Sequence, residues 1–373
     1  MPAYINSGIV MQTIGIIGAG QLGRMMALAG YPLGLRFLFL DKSADAPGGQ
    51  VGNIIVGGFD DPAKLAKLAS QVDVLTFDVE NVPVEPLAPI VEKTPLWPSI
   101  NALETAQDRL LEKRLFVAQG LATPAFEPID TLEELKAAVG KIGLPAVLKT
   151  RRLGYDGKGQ RMLREPVDID SAWSDLGGVP LLLEQFIAFD REVSIIGVRS
   201  IGGECRFYPL SHNTHHSGIL HHSIAPYVDA ELQAKAEGHS RTLMEHFGYV
   251  GVLTIEFFVK DGNLIANEIA PRVHNSGHWT IEGAETSQFE NHIRAVADLP
   301  LGDTKPVGHS AMVNFLGEMP PLDAVLKIPG AHYHDYGKSP RPGRKLGHCT
   351  LRAATREELD ARLDQLRSIM GSM

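Results

Sequence analysis

The stretch Val252-Leu-Thr-Ile-Glu256-Phe-Phe-Val-Lys-Asp261-Gly262-Asn-Leu-Ile-Ala-Asn267-Glu268-Ile-Ala-Pro-Arg272 limits the fold more than any other part of the chain. Asp-Gly between two apolar runs is a strong hairpin signal. Each run carries one carboxylate near its far end, Glu256 and Glu268. A buried carboxylate without a partner is costly to desolvate, and two on adjacent strands repel unless a cation lies between them. Oxygen ligands on rigid strands suit Mg²⁺, which takes one or two carboxylates together with substrate phosphates. Register decides whether the two meet. A two-residue turn sets Glu256 opposite Asn267 and sends Glu268 to the other face. A three-residue loop or one bulge sets Glu256 opposite Glu268, and this second register is predicted. The competing reading is one solvated and one salt-bridged glutamate.

Near the N-terminus, residues 13–29 read as a strand, a glycine turn (Gly18-Ala-Gly20-Gln21-Leu22-Gly23) and a helix. A second strand ends at Asp41. This pattern satisfies G-x-G-x-x-G with a downstream acid, and taken alone it suggests an NAD-dependent dehydrogenase. Its glycines report only a tight turn and a helix N-terminus, which suit many anions. A βαβ unit continues through a strand at 53–56, a helix opened by Asp61-Pro62 and a buried strand at 72–77. Asp78-Val-Glu80-Asn81-Val-Pro83 then places polar groups at a carboxyl strand end, where open α/β sheets bind ligands; a plain capped loop is the alternative.

A helix is expected over 105–119, containing Arg109 and stopped by Gly120. Beyond it, Leu144-Pro-Ala-Val-Leu-Lys149 is a buried strand ending in lysine. The basic, glycine-rich run Gly154-Tyr155-Asp156-Gly157-Lys158-Gly159-Gln160 follows. Lysine supplies charge there, and glycines let backbone N–H groups close on phosphates; no G-K-[ST] opens a helix, so it is not a Walker A loop. Residues 179–187 form a buried strand running into Glu184-Gln185-Phe186-Ile187, a break of the kind that holds adenine between apolar faces. Glu192 starts the next strand. The histidines from His212 to His222 invite a zinc reading, but without cysteine or a standard spacing they read as hydrogen-bonding or anion-contacting side chains in a strand-to-strand loop. A helix is expected over 230–247. The polar loop 271–280 can present several donors to one anion. A helix at 285–298, a small terminal unit from 310 with the basic cluster Arg341-Pro-Gly-Arg344-Lys345, and a last helix at 356–370 complete the chain.

At 373 residues, two or three domains are expected. A net charge of −9 without a basic block argues against nucleic acid as partner. Cys205 and Cys349, the 2 cysteines, form no motif and indicate a reducing compartment. No apolar run is long enough to span a bilayer, so no membrane association is expected. The first twelve residues have neither a charged n-region nor an apolar h-region. They are expected to be a short extension rather than a signal peptide, with Met11 as an alternative start, and the expected location is the cytoplasm.

A lysine with a glycine loop, an apolar hinge and a carboxylate pair together describe an ATP site between two β-layers. On these motifs the chain resembles the ATP-grasp superfamily. Within it, the chain resembles the 5-(carboxyamino)imidazole ribonucleotide synthase family. The resemblance runs from Gly18-Ala-Gly-Gln-Leu-Gly-Arg-Met25 to Arg341-Pro-Gly-Arg-Lys-Leu-Gly-His348. It is carried most specifically by residues 154–160, by Glu80-Asn-Val-Pro83 and by residues 267–280. It implies an α/β ATP-grasp fold with an N-terminal Rossmann-like (pre-ATP-grasp) domain over 1–104, an ATP-grasp domain over 105–308 and a small C-terminal domain over 309–373.

The same resemblance assigns roles by position. Arg109 and Lys149 contact ATP phosphates under a lid formed by residues 154–160. Glu184 to Ile187 hold adenine, Glu192 the ribose, and His215 lies at the nucleotide. Asn267 and Glu268 line the site, and Glu256 and Glu268 hold Mg²⁺, with Mn²⁺ as a substitute. Tyr155, Asp156, Arg272, His274, Asn275, Ser276, Arg344 and Lys345 surround the ribonucleotide and the carboxylating centre. Gln21 and Glu80 belong to the same pocket, and Asp156 is the candidate to orient the amine proton. The implied partners are ATP, bicarbonate, aminoimidazole ribonucleotide and a second copy of the chain in a homodimer. Many ATP-grasp enzymes carry E-x-N-x-R where this chain has Glu268-Ile-Ala270-Pro-Arg272. Ala270 offers no side-chain ligand, so fewer protein ligands remain for a second Mg²⁺. The alternatives are another ATP-grasp ligase, such as a formate-using transformylase, and the NAD-dependent dehydrogenase.

Overall fold

The computed structural model describes residues 12–154 and 157–371. Residues 1–11, with the alternative start at Met11, and Tyr155 and Asp156 lie outside the described residues. Chain order begins with β1 (Thr13–Ile17), α1 (Gln21–Gly30), β2 (Arg36–Asp41), β3 (Asn53–Val56), α2 (Pro62–Ala69), β4 (Val74–Phe77), α3 (Ala88–Val91), α4 (Ile100–Gln107) and α5 (Arg109–Ala118). It continues with β5 (Phe126–Ile129), α6 (Leu132–Ile142), β6 (Ala146–Thr150), β7 (Gln160–Leu163), α7 (Asp168–Leu176) and β8 (Leu181–Gln185). Next come β9 (Arg191–Arg199), β10 (Cys205–Phe207), β11 (Ser211–His216), β12 (Ile219–Ala225), α8 (Ala230–His246), β13 (Gly251–Lys260) and β14 (Asn263–Ala270). The last elements are α9 (Thr280–Gly283), α10 (Gln288–Val296), β15 (His309–Leu316), α11 (Leu322–Leu326), β16 (Ala331–Asp335), β17 (Lys345–Ala353) and α12 (Arg356–Gly371).

Among the described residues the strands form three sheets. The first is parallel, in the order β3-β2-β1-β4, as expected of strands joined by crossover helices. A small antiparallel sheet, β5-β8-β6-β7, carries Lys149 and Glu184 on neighbouring strands. The large antiparallel sheet runs β14-β13-β9-β11-β12-β15-β17-β16, with β10 added to β9. The terminal segment expected as a separate small unit therefore extends this sheet through the β12–β15 pairing. Its own core forms between β15, β17 and α12, around Val313, Leu351, Leu359 and Leu363. α1 packs on α10, so Met25, Met26 and Phe39 share one core with Ile196, Val252, Trp279 and Phe289. That shared core fixes the parallel sheet against the large one.

Local chemistry accounts for the element ends. Asp61 accepts from Ala63 and Lys64 N–H at the start of α2, with Pro62 in its first turn. Thr131 and Glu134 close a capping box on α6. The helix expected over 105–119 is instead two helices, because Asp108 is extended (φ −127°) and caps α5 through Leu110 N–H. The same carboxylate accepts from Arg151 Nε and Nη2 at 3.0 and 2.6 Å. The break starts α5 at Arg109, whose side chain is carried into the cavity wall. α10 starts at Gln288 rather than 285, where Ser287 Oγ caps Glu290 N–H.

Candidate active site

Asp261 (φ 49°) and Gly262 (φ 72°) make a two-residue turn with both residues left-handed, the backbone that favours Asp-Gly in hairpins. Pairing runs regularly from Lys260↔Asn263 to Phe257↔Ala266. A bulge then intervenes, and Glu256 pairs with Glu268. The turn alone would have set Glu256 against Asn267; the bulge places both carboxylates on one face, as predicted. Burial first, and then the charge of Glu268, push the Glu256 carboxyl up to about 7. His274 Nε2 stands 3.4 Å from Glu256 Oε1, and Arg109 Nη1 lies 3.3 Å from Glu268 Oε2. A like-charged pair against the wall of an open cavity fits an oxygen-liganded cation such as Mg²⁺. Among the described residues no third acidic, histidine or cysteine side chain completes a metal cluster, and Ala270 supplies none.

These residues wall one cavity of about 940 Å³ between the two antiparallel sheets and the ends of β1 and β4. Of the nucleotide-side residues named from sequence, Arg109, Lys149, Gly154, Gly157, Gln160, Glu184 to Ile187, Glu192, His215, Asn267 and Glu268 line it. So do Gln21, Glu80, Arg272, His274, Asn275 and Lys345. Lys158 is exposed, and neither it nor Gly159 is part of the wall. Ser276 is fully buried behind the wall, its hydroxyl 2.7 Å from Ser194 Oγ and 2.9 Å from His274 Nδ1. That position supports His274 and keeps Ser276 off the cavity. Arg344 also lies outside the wall, donating to Ser339 O at 2.9 Å.

Cations and carboxylates alternate along the wall. Lys149 Nζ donates to Glu184 Oε2 at 3.0 Å. Burial alone would raise the Glu184 carboxyl, but Lys113 and Lys149 outweigh it and hold it down to about 2. His215 Nδ1 meets Glu192 Oε2 at 2.8 Å. Burial opposes charge on that ring, yet the bond to Glu192 and the nearby carboxylates lift it above an ordinary histidine. Arg272 Nη2 donates to Glu80 Oε2 at 2.9 Å, joining β14's exit to β4's exit. Gln107 Nε2 fixes that turn by donating to Glu80 O and Val82 O at 2.7 Å. Apolar surface comes from Val147, Met162 and Phe258, the last stacked on Phe189 at 4.7 Å.

The glycine turn carries its own anion. Asp78 Oδ2 accepts from Gly20 N–H at 2.6 Å and Gly23 N–H at 3.1 Å, while Asp41 Oδ2 accepts from Ala19 N–H at 2.8 Å. A dinucleotide pyrophosphate would need the place that Asp78 fills, so the glycine fingerprint reports a turn here and not a cofactor. Sequence reasoning did not single out Asp78 for this task, nor Glu112, Lys113, Gln107 and Lys338. Glu112 and Lys113 are both buried on α5, and nothing in the charged run at 108–113 set them apart from a solvated helix face.

Three family descriptions match the chain in sequence: a ribonucleotide synthetase preATP-grasp domain over residues 11–107, an ATP-grasp domain over 114–289 and a phosphoribosylaminoimidazole carboxylase C-terminal domain over 310–362. The N5-carboxyaminoimidazole ribonucleotide synthase of Pseudomonas aeruginosa is 52% identical over 357 residues, covering 96% of this chain and 99% of that one. The crystal structure of N5-carboxyaminoimidazole ribonucleotide synthetase from Thermus thermophilus is 53% identical, with a TM-score of 0.92 over 95% of this chain and 98% of that one. The synthase from Aspergillus clavatus, solved with ADP and 5-aminoimidazole ribonucleotide, is 29% identical with a TM-score of 0.91 over 97% of this chain and 99% of that one. With the bulged carboxylate pair, the lysine strand and the filled glycine turn set in one cavity, these likenesses show that the chain belongs to the N5-carboxyaminoimidazole ribonucleotide synthase family of ATP-grasp ligases.

Proposed function

We propose that the chain carboxylates 5-aminoimidazole ribonucleotide to 5-(carboxyamino)imidazole ribonucleotide in de novo purine biosynthesis, consuming ATP and bicarbonate and releasing ADP and phosphate. The observation that carries this reading is the pairing of Glu256 with Glu268 in the cavity that Arg109 and Lys149 also line. An acidic pair and two cations in one cavity suit a metal-bound polyphosphate. Glu256 and Glu268 are the residues to hold Mg²⁺, or Mn²⁺ in its place. When bound, the metal neutralises charge that builds on the phosphates.

The chain's own groups do the positioning. Arg109 and Lys149 bind the phosphates, and residues 154–160 close over them. The β8 exit at Glu184 to Ile187 holds adenine beside Val147, Met162 and Phe258, with Glu192 and His215 at the ribose. Bicarbonate oxygen attacks the γ-phosphorus, the bond to the β-phosphate oxygen breaks, and carboxyphosphate and ADP form. Carboxyphosphate then releases phosphate as the exocyclic amine of the ribonucleotide takes up the carboxyl carbon and loses a proton. Arg272 and Lys345 carry positive charge to that centre, and His274 and Asn275 shape it. Tyr155 and Asp156 complete it, with Asp156 orienting the amine proton. Exclusion of water matters because carboxyphosphate is lost to hydrolysis. The enzyme acts as a cytoplasmic homodimer, which sedimentation at working concentration tests; among the described residues no helix is long and apolar enough to cross a membrane.

The test is phosphate release from ATP-Mg²⁺ with and without the ribonucleotide, in bicarbonate-supplied and bicarbonate-depleted buffer. Stimulation by the ribonucleotide, with labelled bicarbonate trapped in an acid-labile product, is expected. Glu256→Gln should lower kcat/KM for ATP by about 100-fold, through loss of charge stabilisation at the phosphates. Turnover with another acceptor alone would remove the substrate assignment and keep the ATP site.

A further inference from the structure

Lys113 is a buried charge to which the chemistry above gives no part. It projects from α5, 1% exposed, behind the cavity wall. Its Nζ donates to Asn267 O at 2.6 Å and lies 3.4 Å from Glu184 Oε2. Lys149 Nζ reaches that same oxygen at 3.0 Å from the cavity side. One carboxylate oxygen thus has two ammonium partners, one facing the cavity and one fixed behind it. α5 is itself tied to β14 twice more, at the two residues that follow Lys113's contact. Glu112 Oε1 accepts from Ile269 N–H at 2.6 Å, and Arg109 reaches Glu268. Lys113 is therefore held in place whatever Lys149 does.

A buried carboxylate that loses its cation is strongly destabilised, because the desolvation of its charge is no longer offset. If Lys149 were the sole counter-ion, its turning to a phosphate would strand Glu184 inside the protein. We infer that Lys113 is the resident counter-ion of Glu184, which neutralises that carboxylate while Lys149 engages the phosphates of ATP. The inference rests on the ATP-dependent reading and makes Lys113 a positioning residue, acting through Glu184 and Lys149 without touching nucleotide. Among the described residues, Glu184 Oε1 is buried without a hydrogen-bond partner, which fits a carboxylate whose charge is managed through its other oxygen.

The test compares KM for ATP, KM for the ribonucleotide and kcat in the wild-type, Lys113→Met, Glu184→Gln and doubly substituted enzymes. Ribonucleotide-stimulated ATP turnover by the wild type checks the underlying reading; its absence removes that reading. With turnover established, Lys113→Met is expected to raise KM for ATP about tenfold or more and leave KM for the ribonucleotide within about twofold. In the Glu184→Gln background the same substitution should change KM for ATP by less than about threefold, since its effect passes through the Glu184 charge. An unchanged KM for ATP in Lys113→Met, or equal losses in both backgrounds, overturns the inference. Should Lys113→Met not fold, the comparison of Glu184→Gln with the double variant decides, and a tenfold loss there overturns it.

Discussion

A Cβ on Gly18 would stand 1.7 Å from Asp78 Oδ1, and the residue's φ is +98°. Both facts require glycine, and the first arises because the turn closes on a carboxylate of its own chain. Gly18→Ala is expected to destabilise the fold by about 2–4 kcal/mol, from left-handed strain plus displacement of a buried, doubly bonded carboxylate. Urea unfolding monitored by far-UV circular dichroism measures it, and an unchanged midpoint would show that Asp78 can move aside freely. The glycine spacing was legible in sequence, but what fills the turn was not. Asp78 lies about sixty positions away, and its approach depends on β1 and β4 pairing in parallel. Conversely, the Glu256–Glu268 pairing was legible because side chains alternate along a strand, so a longer loop or a bulge had to bring the two carboxylates face to face, and the chain uses the bulge.

Among the elements, α10 joins two sheets through a single histidine. Val252 N–H donates to His292 Nδ1 at 3.1 Å, so the ring proton sits on Nε2, 2.9 Å from Thr76 Oγ1 on β4. Burial holds the ring's pKa down to about 3. As pH falls below the ordinary histidine value near 6.5, the unfolded chain takes a proton that the folded one refuses. The stability from this site is thus full above 6.5 and is lost as pH falls toward 3. Between pH 6.5 and 5 the loss should be about 2 kcal/mol. Chemical denaturation across that range should show a slope that His292→Asn flattens by about one proton; an equal slope in both proteins would assign the acid sensitivity elsewhere. At this scale the sequence marked strands and most helices through hydrophobic period and caps. It missed the division between α4 and α5 because Asp108 fits a helix surface by composition. Its cap on Leu110 N–H is local, but its bond to Arg151 depends on a segment about forty residues downstream.

On the scale of the whole molecule, the end of the cavity lined by Gln21 and Lys345 is built where the parallel sheet meets strands added after residue 309. Arg24 Nη1 donates to Asp335 O at 2.9 Å, and Lys338 Nζ bonds to Gln21 Oε1 at the N-terminus of α1. Sequence reasoning found the basic cluster at 341–345 but placed Lys338 outside it, because only the folding of 331–345 back onto α1 brings the two together. Burial, and then Arg344, depress the Lys338 ammonium to about 8, while Asp78 partly supports it. A half-buried cation beside other cations and a helix N-terminus favours a dianion, and the ribonucleotide's phosphate is the group of that charge in the proposed reaction. Lys338→Met should raise KM for the ribonucleotide about tenfold or more and leave KM for ATP within about twofold. The wild-type ribonucleotide KM should also climb as pH passes 8 and Lys338 loses its proton, a rise absent from Lys338→Met. If both substrates weakened together, the contact would belong to the docking of the two segments. If only the ribonucleotide weakened, nucleotide binding and acceptor binding would have separate anchors, with the carboxylate hairpin between them.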